Sequence, residues 1–213
     1  YSVPAPHLRL RLRASGAPEA SVIGQRLHEF AHRLLEAGQI ADFAFLPYMP
    51  EYARYGGEAA VALAEAVFWR DSEYVLAMLT DSTFSRMPKS SRAALGLIDA
   101  LPAIAPDLVP DAFFGALIDR RAFNDSLRDH AVKLVSRDPE AGGLRDLRRS
   151  AFSAYSRHIE APEWDFDRAE RLAMVRSLFH MHCNRLMGTQ KDERAANALA
   201  RRIQGWLRHA NGL

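Results

Sequence analysis

Three groups of side chains in this sequence have the types and spacing to do chemistry. The first is the run His7-Leu8-Arg9-Leu10-Arg11-Leu12-Arg13. Strict alternation predicts a half-buried β-strand with Leu8, Leu10 and Leu12 on one face and His7, Arg9, Arg11 and Arg13 on the other. Neighbours on a face lie about 7 Å apart, two strand rises of roughly 3.3 Å each. Guanidiniums in a row repel one another, and their forked donors match carboxylates and phosphates bidentately. The row reads either as a grip for an anionic group or as a solvated face of an arginine-rich protein. The second group is Glu51-x-x-Arg54-Tyr55-Gly56-Gly57. Glu51 and Arg54 pair if this segment makes one helical turn. Gly56 and Gly57 leave backbone N–H groups unshielded where a long helix begins, a place suited to an anion. A salt-bridged loop with a helix-initiating glycine pair is the plainer reading. The third group is Ser177, His180 and Asn184, which share one face of a late helix while His182 points elsewhere. Its plain alternative is a satisfied core histidine, since polar groups on an apolar helix must be paired when buried.

The elements that must position these groups follow from periodicity. After the strand, 14–19 reads as a turn containing glycine and proline. Val22, Ile23, Leu27, Phe30, Leu34 and Leu35 recur at helical spacing, and Gly38 stops that helix. Residues 40–46 read as a second strand with Phe43 and Phe45 on one face, and 48–57 as a loop. A strong helix is predicted over 58–79, its stripe formed by Val61, Ala64, Phe68, Val75 and Leu79. Further helices are predicted near 89–104, 110–122, 124–137, 143–158, 166–187 and 190–209, separated by prolines and a glycine pair. The fold class expected is α+β: a small N-terminal β-sheet packed against a predominantly helical layer. Two strands cannot hold a sheet alone. The chain therefore reads as one domain over 1–213 that lacks its first N-terminal strands, with those strands missing or supplied by a partner.

Composition narrows the function. A length of 213 residues suffices for one full core. An apolar content of 48% and a charged content of 25% are ordinary for a soluble globular chain. A net charge of +2 is too small to argue for direct nucleic-acid binding. Lys89, Lys133 and Lys191 are the only lysines among 28 basic residues, so nearly every cation is a guanidinium. Arg145, Arg148 and Arg149 look like a solvated basic helix face. The lone Cys183 excludes an internal disulfide and suits a reducing compartment. With no apolar run of about 18 residues and no signal-peptide core, the chain reads as soluble, cytoplasmic and without a membrane partner. The motifs for a nucleophile elbow, a P-loop, a dinucleotide fold and a helical zinc site are missing. His180, His182 and Cys183 do not converge on one face, so no metal is expected.

Four motifs in order carry a resemblance. They are Tyr1, Pro4 and His7 to Arg11; Pro50 to Gly57; Ala64, Glu65, Phe68, Asp71 and Ser72; and Ser177 to Gly188 with His180, Met181, Asn184 and Arg185. Together they resemble the C-terminal domain of lantibiotic dehydratases, which also occurs alone as the thiopeptide-type bacteriocin biosynthesis protein. The resemblance spans essentially the whole chain. One departure is Val3, where the family usually has Asp before the proline. The resemblance implies a lyase of ribosomally made peptide (RiPP) biosynthesis. A companion glutamylation protein or domain, dependent on glutamyl-tRNA, esterifies Ser or Thr of a precursor peptide with glutamate. This domain then eliminates glutamate to leave dehydroalanine or dehydrobutyrine. The family's important positions fall on Arg9, Arg11, Glu51, Arg54 and His180.

Chemistry assigns roles within that implication. The leaving group is a carboxylate, whose conjugate acid has a pKa of about 3.5, so it departs without acid assistance. The demanding step is removal of the Cα proton, which needs a placed base and stabilisation of an enolate-like oxygen. An imidazole titrates near neutrality and suits the base, worth about 10²–10⁴-fold. His180 takes that role, with Asn184 orienting it. Arg54, held by Glu51, stabilises the oxyanion at roughly 3 kcal/mol for a well-aimed donor. Arg9 and Arg11 grip glutamate carboxylates, and His7, Gly56 and Gly57 line the substrate. Glu51 also competes for the glutamyl ammonium, and Arg54 could exchange roles with the strand arginines. No cofactor is required. Two rival readings remain: a [4+2] pyridine-forming macrocyclase of the thiopeptide pathways, and a non-catalytic module that binds the precursor peptide. Helical surface is plentiful enough for a homodimer, though nothing selects one.

Overall fold

The computed structural model describes residues 8–113, 123–136, 140, 142–187 and 189–210. The chain divides into two compact units, Tyr1–Pro50 and Glu51–Leu213.

In the first unit, helix α1 (Ala17–Glu36) begins behind Gly16 with a proline in its first turn, where the missing N–H costs nothing. It ends before Gly38, whose φ of +65° is the left-handed conformation that glycine adopts without strain. The helix expected here forms, yet none of its residues is buried. Phe43 meets His28 and His32 edge-on, 5.6 Å from each ring centroid. The expected β-sheet is not present: among the described residues there is no strand, and both 8–13 and 40–46 lack ladder pairing. The α+β expectation is thereby corrected to a helical fold. Alternation decides which side chains share a face, but a strand exists only where a neighbour takes up its N–H and C=O groups. Leu8, Leu10 and Leu12 are 84%, 59% and 58% exposed, so no layer covers the face their spacing defines. His7, with Tyr1 and Pro4 of the same motif, lies outside the described residues.

The second unit runs through α2 (Tyr52–Tyr55), α3 (Glu58–Thr80), α4 (Ser82–Ser85), α5 (Lys89–Ala100), α6 (Asp125–Ser136), α7 (Leu144–Glu160), α8 (Arg168–Leu186) and α9 (Gln190–Ala210). Helices α3, α6, α7, α8 and α9 match the periodicity closely. The helix expected over 89–104 stops at Ala100, because Pro102 turns the chain into the 3₁₀ segment Leu101–Ala103. Of the helix expected over 110–122, Val109–Asp111 is a 3₁₀ turn and 114–122 lies outside the described residues. Helix α5 is the core element, buried from Ser91 to Ala100. Helix α9 lies along it, α6, α7 and α8 pack around it, and α3 packs on α7 and α8. Among the described residues, no helix is long and apolar enough to cross a membrane.

A charged network sits in this core. Arg148 is fully buried and donates from Nε to Asp71 Oδ1 at 2.8 Å, from Nη1 to Asp99 Oδ2 at 3.2 Å and from Nη2 to Gly96 O at 3.0 Å. Arg145 and Arg149 both reach Asp99 Oδ1, at 2.8 and 2.7 Å. The solvated face expected for these three arginines is therefore overturned. Asp99, which is completely buried, draws them inward, since a buried carboxylate must be paired.

Candidate functional site

Two of the three sequence-predicted groups lie in the Glu51–Leu213 unit. At the first, α2 is a single turn and Arg54 Nη1 donates to Glu51 Oε2 at 2.9 Å, with both side chains well exposed. The spacing of three residues thus gives the pair it predicts. Tyr55 anchors the turn: it is buried, its ring meets Phe68 at 5.3 Å, and its carbonyl accepts the Tyr155 hydroxyl at 3.0 Å. Gly56 closes the turn at φ +88°, and a Cβ there would press on Met174 and Phe166 at 3.2–3.3 Å. The N–H groups of Gly56 and Gly57 both donate to Tyr52 O. The two amides are thus engaged in capping α2.

The second group is on α8. Among the hydrogen bonds of His180, Nδ1 lies 2.9 Å from each carboxylate oxygen of Glu193 on α9, and Nε2 lies 2.9 Å from Asn184 Nδ2. The imidazole is 33% exposed and the Glu193 side chain 7%. Asn184 and His180 meet as their spacing predicts, whereas the Ser177 hydroxyl donates to Ala173 O at 3.0 Å. No hydrogen bond among the described residues links the Glu51–Arg54 pair to His180. Arg9 and Arg11 belong to the Tyr1–Pro50 unit, where the Arg11 guanidinium lies 5.3 Å from the Tyr48 ring centroid.

His182 points to the other side of α8. It is fully buried, and its Nδ1 lies 2.9 Å from Asp71 Oδ1. A Cβ at residue 96 would collide with its ring, so Gly96 is what lets α5 and α8 close over it. Burial pushes the Asp71 carboxyl up, but His182, Arg148 and Arg185 outweigh it and hold the group below the usual carboxylate range. Arg185 donates from Nε to the Ser72 hydroxyl at 2.9 Å. Asp71 and Ser72 of α3, through His182 and Arg185, therefore lock α3 to α8, the helix that carries His180. Burial, with Glu193 and Asp71 nearby, pushes the Cys183 thiol up, which keeps it neutral and removes it as a nucleophile. A cleft of about 390 Å³ between Pro102 and Arg157 is lined by none of the predicted site residues.

Sequence reasoning missed Glu193. Spacing along one helix cannot show a partner on the next. The available signal is the short connection between α8 and α9, which makes a helical hairpin and sets first-turn acids of α9 beside the last turns of α8.

Residues 1–203 match the family described as lantibiotic biosynthesis dehydratase C-term. The subtilin biosynthesis protein SpaB of Bacillus subtilis is 22% identical over 209 residues, which is 90% of this chain and 20% of that protein. The chain thus spans about a fifth of the length of this curated relative. No solved structure matches.

Proposed function

The chain belongs to the lantibiotic biosynthesis dehydratase C-terminal family, and from that premise we propose that it eliminates glutamate from glutamylated Ser or Thr of a precursor peptide. One observation carries the reading. His180 is one-third exposed, with the Glu193 carboxylate 2.9 Å from Nδ1 and the exposed Asn184 amide 2.9 Å from Nε2, so a carboxylate backs the ring and a displaceable side chain covers its second nitrogen. An imidazole held in this way suits a general base.

In the reaction, Nε2 takes the Cα proton of the esterified residue once the exposed Asn184 amide yields its place. The Cα–H electron pair forms the Cα–Cβ double bond, and the Cβ–O bond breaks. Glutamate leaves with both carboxylates ionised, and the imidazolium returns its proton to water. Arg54, paired with Glu51, suits the enolate-like oxygen or a glutamate carboxylate, because a guanidinium is a permanent forked donor. The same chemistry suits Arg9 and Arg11 as carboxylate partners. The glutamylation protein or domain that supplies the ester belongs to the proposal as the required preceding step.

The test follows a synthetic peptide carrying glutamylated serine by mass. The chain should convert it to dehydroalanine peptide and free glutamate. His180→Ala should slow conversion by about 10²–10⁴-fold, and Arg54→Ala by about 10²-fold, with helical content unchanged. Conversion at the unaltered rate in both variants sinks the assignment. A chain that binds the peptide and releases no glutamate sinks elimination itself.

A further inference from the structure

We propose that Glu193 is a positioning residue for His180, holding Nδ1 so that Nε2 is the nitrogen that acts as base; the role rests on the elimination reading. Both Glu193 oxygens lie 2.9 Å from Nδ1. A carboxylate can only accept there, so Nδ1 carries a proton and Nε2 is the nitrogen left to exchange one. The burial contrast has the same sense: the carboxylate is 7% exposed and the imidazole 33%, and the partner at Nε2, Asn184, is exposed and can be displaced.

Glu193 is itself fixed. It occupies the first turn of α9, where the helix dipole favours an anion. Its N–H donates to Thr189 O at 3.2 Å, and its C=O accepts Asn197 Nδ2 at 3.0 Å. The other side chains that bond to the pair, Asn184 at His180 and Asn197 at the Glu193 carbonyl, are uncharged. When Nε2 gains a proton, the imidazolium forms beside an anion already in place, so the protein need not reorganise.

The experiment uses the full chain with ¹⁵N-labelled histidine, unaltered and as Glu193→Ala and Glu193→Gln. Two quantities are read: the ring-nitrogen shifts of His180, which report its tautomer, and kcat and KM on the glutamylated peptide. Glu193→Ala should lose the Nδ1–H signature and lower kcat by about 10–100-fold with KM unchanged, the range typical for a partner that orients a functional imidazole. Glu193→Gln keeps an acceptor but no charge. It should retain the tautomer and recover part of kcat, and it carries the test if the alanine variant does not fold. An unchanged tautomer with an unchanged kcat, or a loss confined to KM, overturns the role. If the unaltered chain releases no glutamate, the elimination reading fails, and the tautomer comparison alone then decides whether Glu193 positions the ring.

Discussion

Asp71 shows what a single buried charge can demand of its surroundings. Its carboxylate meets His182 Nδ1, Arg148 Nε and Arg185 Nη1 at 2.9, 2.8 and 3.1 Å, so three helices are tied through one residue. Removing one partner of a buried ion pair leaves the others uncompensated. Asp71→Asn should therefore cost about 3–5 kcal/mol, read from the midpoint of urea unfolding. The pH dependence has a definite sign. The folded carboxyl lies below its unfolded value. Its contribution is complete above the unfolded pKa of ~3.9 and is lost as pH falls through the folded value. The unaltered chain should lose stability on acidification below about pH 4, and Asp71→Asn should lose less over that interval. Equal acid limbs in the two proteins would show that Asp71 is not the group responsible.

The corner between α2 and α3 is where an element, more than a residue, sets the site. Arg54 and Glu51 are presented by one helical turn, and Gly56 ends that turn at φ +88° against Met174 and Phe166 of the α8 region. Gly56→Ala would strain the backbone and crowd that contact. A cost of about 1–3 kcal/mol is expected, lowering Tm by at least ~2 °C. Calorimetry showing an unchanged melt would mean the corner tolerates a side chain. This corner also marks what was legible in the sequence. Although the Gly56 and Gly57 amides, expected to stand unshielded for an anion, instead both donate to Tyr52 O, the Glu51–Arg54 and His180–Asn184 spacings are local, and each produced the contact its geometry predicts. Helices were legible for the same reason, since a stripe of apolar residues declares itself within a few turns. Pairings across distance were not. The alternation of Leu8, Leu10 and Leu12 suggested a strand because it fixes faces, yet a ladder depends on a second segment. Arg145, Arg148 and Arg149 looked solvated because Asp99, their common partner, lies 46–50 residues away. Glu193 stayed hidden because it belongs to the helix after the one that carries His180.

Across the whole molecule, stability is unevenly spread. The Glu51–Leu213 unit owns the buried core and its ion pairs, whereas the Tyr1–Pro50 unit offers an α1 with no buried residue. Segments with little buried apolar surface open at low free energy. Trypsin should therefore cut first at arginines among Arg9 to Arg33, leaving a fragment that retains 51–213 and melts cooperatively. Amides of α1 should exchange with solvent well before those of α5. First cuts beyond Pro50, or equal protection of α1 and α5, would overturn this ordering. The same digest bears on function. Arg9 and Arg11 leave with the first fragments, while Glu51, Arg54, His180, Asn184 and Glu193 remain. If the trimmed protein keeps its melt but loses glutamate release, the arginine run serves the reaction. If release persists, the chemistry belongs to the helical unit alone.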